Sequence, residues 1–137
     1  MSWIVLDCSA VIPWCFEDEV DEASERLLSS LGSWDAMVPA LWPLEVANVL
    51  SGAERRGRIS SADSYRFMQL VRHLPIVVDP ETASRATRET LEIARSQRLT
   101  SYDASYLELA MRMRAPLATR DGALKDAAVR VGVTLFG

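Results

Sequence analysis

Asp7, Glu45, Asp103 and Asp121 stand in segments that are otherwise apolar or built from small residues. Asp7 closes WIVLD, Glu45 sits inside LWPLEVANVL, Asp103 in TSYDASYLELA and Asp121 in LATRDGAL. Two carboxylates about 4 Å apart repel by roughly 4 kcal/mol at an effective dielectric near 20, so four that converge need compensation to stay ionised. Carboxylate oxygens without imidazole or thiolate select hard cations, Mg2+ or Mn2+, over zinc. Such ions polarise phosphoryl oxygens and activate water, and two of them about 3.5–4 Å apart clamp both attacking and leaving oxygens. The pattern points to metal-assisted chemistry on phosphates.

Each aspartate also has a simpler reading as a helix cap. Asp7 precedes a short helix, Asp103 follows Thr100 at capping-box spacing, and Asp121 precedes Gly122 at the start of the last helix. Glu45 is harder to explain that way. It is the only charge between Asp35 and Glu54, in a segment whose Leu44, Val46, Val49 and Leu50 read as core-facing. An unpaired buried carboxylate costs several kcal/mol or rises in pKa until it is neutral. Ser9 and Thr119 stand two residues after Asp7 and two before Asp121, where their hydroxyls can orient a carboxylate or make ordinary turn hydrogen bonds. Asn48, one helical turn beyond Glu45, can steady that carboxylate, touch substrate or simply face solvent.

The elements that must position these groups follow from periodicity. Short apolar strands are predicted at 3–6, 36–38, 76–78, 117–119 and 133–136. Helices are predicted at 9–16, 21–31, 42–56, a stretch capped by Ser60 or Ser61, a long polar stretch from Pro80 to about Arg98, 102–114 and 121–131. In the Ser60-capped helix the inward stripe is expected to run through Tyr65, Met68, Leu70, Val71 and Leu74. In the 102–114 helix Tyr106, Leu109, Ala110 and Met113 face inward. Strands alternating with helices imply a parallel α/β sheet covered on both faces, with ligands at the carboxyl ends of its strands.

At 137 residues the chain fits a single domain, 1–137. No apolar run approaches the ~20 residues that cross a bilayer, and the stretch before Asp7 is too short for a signal peptide, so a cytoplasmic location is expected. Cys8 and Cys15 cannot build a disulfide framework, and with His73 as the only histidine no zinc site is completed. Both cysteines are expected as small buried hydrophobes, and His73 as a structural residue. The formal charge of −4 is unusual for a phosphate binder, but six acids and no base fall between Glu17 and Glu25. Lys125 is the only lysine, so the positive charge is almost all arginine. Arg55, Arg56 and Arg58 cluster, and Arg112, Arg114 and Arg120 are candidates for phosphate contacts. Trp14 and Phe16 either pack in the core or form part of an apolar partner groove.

Across essentially its whole length the chain resembles the PIN-domain ribonucleases, and within them the VapC-type toxins of toxin–antitoxin pairs. The resemblance is carried by the opening strand with Asp7 and Ser9, by PLEVANVL around Glu45 and Asn48, by SYDASYLELA around Asp103 and by LATRDGAL around Asp121. It implies a PIN-like three-layer α/β/α sandwich around a short parallel sheet of about five strands. It also implies an acidic Mg2+ site in which Mn2+ can substitute, endoribonuclease activity, homodimerisation and inhibition by a cognate antitoxin. All four acidic positions of the family are filled here.

The expected mechanism is hydrolysis of an RNA phosphodiester by metal-activated water. Asp7, Glu45 and Asp103 hold the main metal, and Asp121 either binds a second one or positions the attacking water. Two alternatives are a non-catalytic RNA- or partner-binding module of the same fold, and a phosphohydrolase with Asp7 as nucleophile. The latter wants a second carboxylate where Ser9 stands and a lysine near the site.

Overall fold

The structure is a computed structural model that describes residues 2–137. The first strand, β1 (Trp3–Leu6), leads through Asp7 into α1 (Cys8–Val11) and two 3-10 turns at Ile12–Trp14 and Glu17–Glu19. Then follow α2 (Glu22–Ser30), β2 (Asp35–Val38), α3 (Trp42–Arg55), α4 (Ser61–Arg72) and β3 (Ile76–Val78). The chain closes with α5 (Thr82–Arg85), α6 (Glu89–Gln97), α7 (Ser101–Met113), β4 (Leu117–Ala118) and α8 (Gly122–Val131).

The strands form one parallel sheet in the order β3-β2-β1-β4. Trp3 pairs with Asp35, and Val5 with both Met37 and Leu117, which makes β1 the central strand. Successive residues of a strand point to opposite faces, and Ile4, Val5 and Leu6 are all fully buried. Both faces of the sheet are therefore covered, the α/β/α layering that a parallel sheet requires. From β1 the chain builds outward through β2 to β3 and returns to place β4 on the other side of β1. The strand order thus reverses between β1 and β4, and that crevice is where such sheets bind ligands.

Four expectations are corrected. The fifth strand, 133–136, is reduced to one parallel bridge between Leu117 and Leu135. Thr134 O accepts from Leu117 N and Phe136 N donates to Leu117 O, both at 2.9 Å, but β4 is only two residues long and offers no further ladder. The polar helix of 80–98 is two helices, broken before Glu89 at Arg88 and ended at Arg98 in the left-handed region (φ 55°). Arg85 spans the break, pairing with Glu81 and Glu89. In α4 the inward residues are Ser64, Phe67 and Val71, while Tyr65 is exposed. Leu44, expected to face the core, is likewise exposed in the first turn of α3.

Of the two free cysteines, Cys8 is buried and Cys15 only partly so. His73 caps α4 and lies at the surface, its Nδ1 2.7 Å from Gln69 O. Phe16 is buried in the core with the Arg58 guanidinium 3.9 Å above its ring centre, and the Trp14 indole donates to Ser24 O at 2.9 Å. The same two rings line an outer groove of about 680 Å³ together with Arg58, Phe67 and Leu70.

Candidate metal centre

Asp7 follows β1 directly, and its N–H donates to Ala118 O of β4 at 2.9 Å, which fixes it in the crevice. It occupies the cap position of α1, yet its side chain makes no capping hydrogen bond. Instead the buried carboxylate takes two hydroxyls on Oδ2, from Ser9 at 2.6 Å and Thr119 at 2.7 Å. Those hydroxyls are themselves braced, because Arg120 N donates to Ser9 Oγ at 2.8 Å and Asp121 N to Thr119 Oγ1 at 3.0 Å. The loops after β1 and β4 are thereby tied together around one oxygen of Asp7. Its other oxygen accepts no hydrogen bond among the described residues.

Glu45 lies in the first turn of α3, which Pro43 opens. Tyr106, fully buried on α7, donates its hydroxyl to Glu45 Oε1. Partial burial raises the Glu45 carboxyl, the Tyr106 bond opposes that rise, and the charges of Asp7 and Asp103 add to it. Asp103 lies in the first turn of α7, where Thr100 Oγ1 accepts from its backbone N–H at 3.1 Å. The cap is Thr100, so the Asp103 side chain is left for other work. Its carboxyl is raised by burial first and then by Asp121 and Asp7. Asp121 caps α8, with Oδ2 accepting from Leu124 N at 2.9 Å. It therefore fills the capping role and still faces the crevice.

The four carboxylates line one open cavity of about 510 Å³ at the carboxyl ends of β1 and β4, together with Ser9 and Asn48. Thr119 reaches it through Asp7. Glu19 is a fifth acid on the wall, unread in the sequence because it sits in an acidic run that looks like solvated surface. Tyr106 was legible as an inward residue, but its bond to Glu45 spans 61 positions and left no sequence signal.

The cavity wall fits a hard cation and fits zinc poorly. No histidine lines it, and the one thiol, Cys8, is pushed up to about 12 by burial and then by Glu45 and Asp7, which keeps it protonated. Among the described residues no three Asp, Glu, His or Cys side chains are drawn together tightly enough to form a ready-made ligand set. Burial raises the Glu45 and Asp103 carboxyls first, and the charges of the neighbouring carboxylates add to that rise. No lysine lines the cavity, so an aspartyl-phosphate site lacks its usual cation there.

Two of the three arginines expected at phosphates are placed elsewhere. Arg112 lies nine residues beyond Asp103 on α7, roughly 13 Å along the axis. It is taken up by Asp79 (Nη2–Oδ2 2.6 Å) and Glu108 (Nε–Oε2 2.9 Å), both buried. Arg114 ends α7 in the left-handed region and lines a separate groove with Trp34 and Pro116. Arg120 alone lines the acidic cavity, with Nη2 2.7 Å from Asp21.

A family model described as the PIN domain matches residues 4–130. No curated protein matches the chain. Among solved structures, the crystal structure of PAE2754 from Pyrobaculum aerophilum is similar over 92% of this chain and 86% of that one, with 23% identity and a TM-score of 0.70. At that identity the likeness concerns the fold.

Proposed function

The chain belongs to the PIN domain family, and on that premise we propose that it is a metal-dependent endoribonuclease of the VapC toxin type. The observation that carries the reading is the meeting of Asp7, Glu45, Asp103 and Asp121, drawn from four separate segments, on the wall of one cavity at the strand-order reversal. Acids that repel one another at a ligand-binding crevice have a physical use when a divalent cation is their ligand.

In this reading Asp7, Glu45 and Asp103 hold a Mg2+-class ion, with Mn2+ able to replace it, and Asp121 holds the attacking water or a second ion. When bound, such an ion supplies Lewis-acid polarisation of a phosphoryl oxygen and activation of water. The protein's own share is positioning. Ser9 and Thr119 hold one oxygen of Asp7 and leave the other to face the cavity. Tyr106 fixes Glu45 in the same manner, and the Thr100 cap sets the first turn of α7 so that Asp103 projects inward. Asn48 stands on the wall one turn beyond Glu45, where its amide can contact substrate.

The toxin assignment, a homodimer and silencing by a cognate antitoxin belong to the same proposal and rest on the family likeness. The test is RNA cleavage by purified protein with Mg2+ or Mn2+, beside Asp7→Asn. Cleavage that needs the metal and disappears in the folded variant supports the reading. Cleavage retained by well-purified Asp7→Asn would overturn it. RNA binding that survives EDTA, with no strand scission under any condition, would favour a non-catalytic module.

A further inference from the structure

Five carboxylates line the cavity (Asp7, Glu19, Glu45, Asp103 and Asp121), and Arg120 is the one cation beside them among the described residues. The charge of Glu19 is answered outside the cavity by Arg58, at 2.7 Å. An incoming phosphodiester is itself an anion, and Arg120 is the side chain at this wall that would attract it. We infer that Arg120 grips the substrate phosphate and that Asp21 is the positioning residue that aims it, a reading that rests on the nuclease assignment above.

The geometry is specific. Asp21 does not line the cavity; it holds Arg120 from outside, with Nη1 3.3 Å from Oδ1 and Nη2 2.7 Å from Oδ2. That end-on pair uses one hydrogen on each terminal nitrogen. The Nε–H donates to no protein group among the described residues, so the side edge of the guanidinium remains free for a phosphate. Asp21 is itself immobilised. It caps α2 through Ser24 N at 2.8 Å, Ser24 Oγ accepts from its N–H at 3.0 Å, and Trp14 ties down Ser24 O. At the other end, the Arg120 backbone is held to Ser9 Oγ, the same hydroxyl that binds Asp7. One hydrogen-bonded path therefore links Asp7 through Ser9 to Arg120 and on to Asp21. Half-exposed pairs of this kind add little to stability, so a contribution to folding does not explain the arrangement.

The experiment measures binding of a single-stranded oligoribonucleotide by anisotropy, with Ca2+ in place of Mg2+, for Arg120→Ala, Arg120→Lys, Asp21→Asn and the double variant. Thermal melts run alongside; asparagine caps a helix as well as aspartate, so Asp21→Asn keeps α2 intact. Arg120→Ala is expected to weaken binding roughly tenfold with an unchanged melting temperature. Arg120→Lys should fall close to it, since an ammonium cannot serve Asp21 and a phosphate as a fork does. Asp21→Asn should weaken binding about threefold alone and not at all in the Arg120→Ala background, because Asp21 acts only through Arg120. Unchanged affinity in Arg120→Ala, or wild-type affinity in Arg120→Lys, overturns the grip. An equal Asp21→Asn effect in both backgrounds, or a gain in affinity, overturns the positioning role. No binding by the wild type overturns both. Wild-type cleavage that persists beside an inert Arg120 would remove this inference and leave the nuclease reading standing.

Discussion

Tyr106 donates its hydroxyl to Glu45 from the fully buried face of α7, across 61 positions of sequence. Burial, and then the bond and charge of Glu45, push the phenol far above its ordinary range, so it remains a donor at any working pH. The bond sets the direction of the one candidate ligand that α3 contributes. Tyr106→Phe keeps the ring and deletes the donor. Mn2+ affinity by calorimetry should fall about tenfold, as for other groups that orient a metal ligand, with far-ultraviolet circular dichroism unchanged. Unchanged affinity would show that the bond does not position Glu45.

Thr119→Val removes one of the two hydroxyls on the buried oxygen of Asp7 without changing side-chain shape. A buried acceptor stripped of a partner costs about 1–3 kcal/mol, to be read from urea unfolding. Ser9→Ala should interact strongly with it in a double-mutant cycle, because both hydroxyls serve the same oxygen. Simple additivity would contradict a shared clamp.

Arg112 is a structural cation. Its removal strands the buried carboxylate of Asp79 and leaves Glu108 only the longer pair with Arg85 at 3.6 Å, and Arg112→Ala should lose about 3–5 kcal/mol of stability at neutral pH. RNA affinity in the variant that remains folded should be unchanged. Normal stability with lost RNA binding would return Arg112 to the substrate. The pH dependence has a definite sign. Burial raises Asp79, but the Arg112 bonds and the Glu81 N–H outweigh it and hold the carboxyl below its usual range. Its stabilisation is complete above the ordinary carboxylate pKa and is lost as pH falls through the lowered value. Asp79→Asn should flatten that acid limb.

Cys8 should be unreactive in the folded protein. Its thiol is pushed up to about 12, which cuts the thiolate fraction at pH 8 on the order of a thousandfold relative to a free thiol. Iodoacetamide at pH 8 should label Cys8 only after urea is added. A folded-state pKa raised this way leaves stability intact below the ordinary thiol value and erodes it as pH climbs toward 12. Rapid labelling of native Cys8 would contradict its burial.

The four acids could be read from the chain because each interrupts a segment whose other residues follow an apolar pattern, and because strand ends and first turns are recognisable locally. What escaped was set by distant partners. Arg112 looked like a free cation since Asp79 lies 33 positions before it, at the end of β3. Glu19 merged into an acidic run until Arg58, 39 positions away, fixed it beside the cavity. Asp21 looked like one more acid at the start of a helix; it caps α2, and its bond to Arg120 spans 99 positions. Within the α4 stripe Val71 is buried and Met68 and Leu74 pack against the core, but Tyr65 was misjudged by periodicity alone, as Ser64 bonds to Glu54 at 2.6 Å and takes the inward position next to it.

The most direct test of the central claim is anomalous diffraction from a crystal soaked in Mn2+. The account predicts an ion in the cavity between β1 and β4 with oxygen ligands from Asp7, Glu45 and Asp103, close enough to Asp121 to share a water with it. A fully soaked crystal with no peak in that cavity, or with manganese bound only elsewhere, would contradict it.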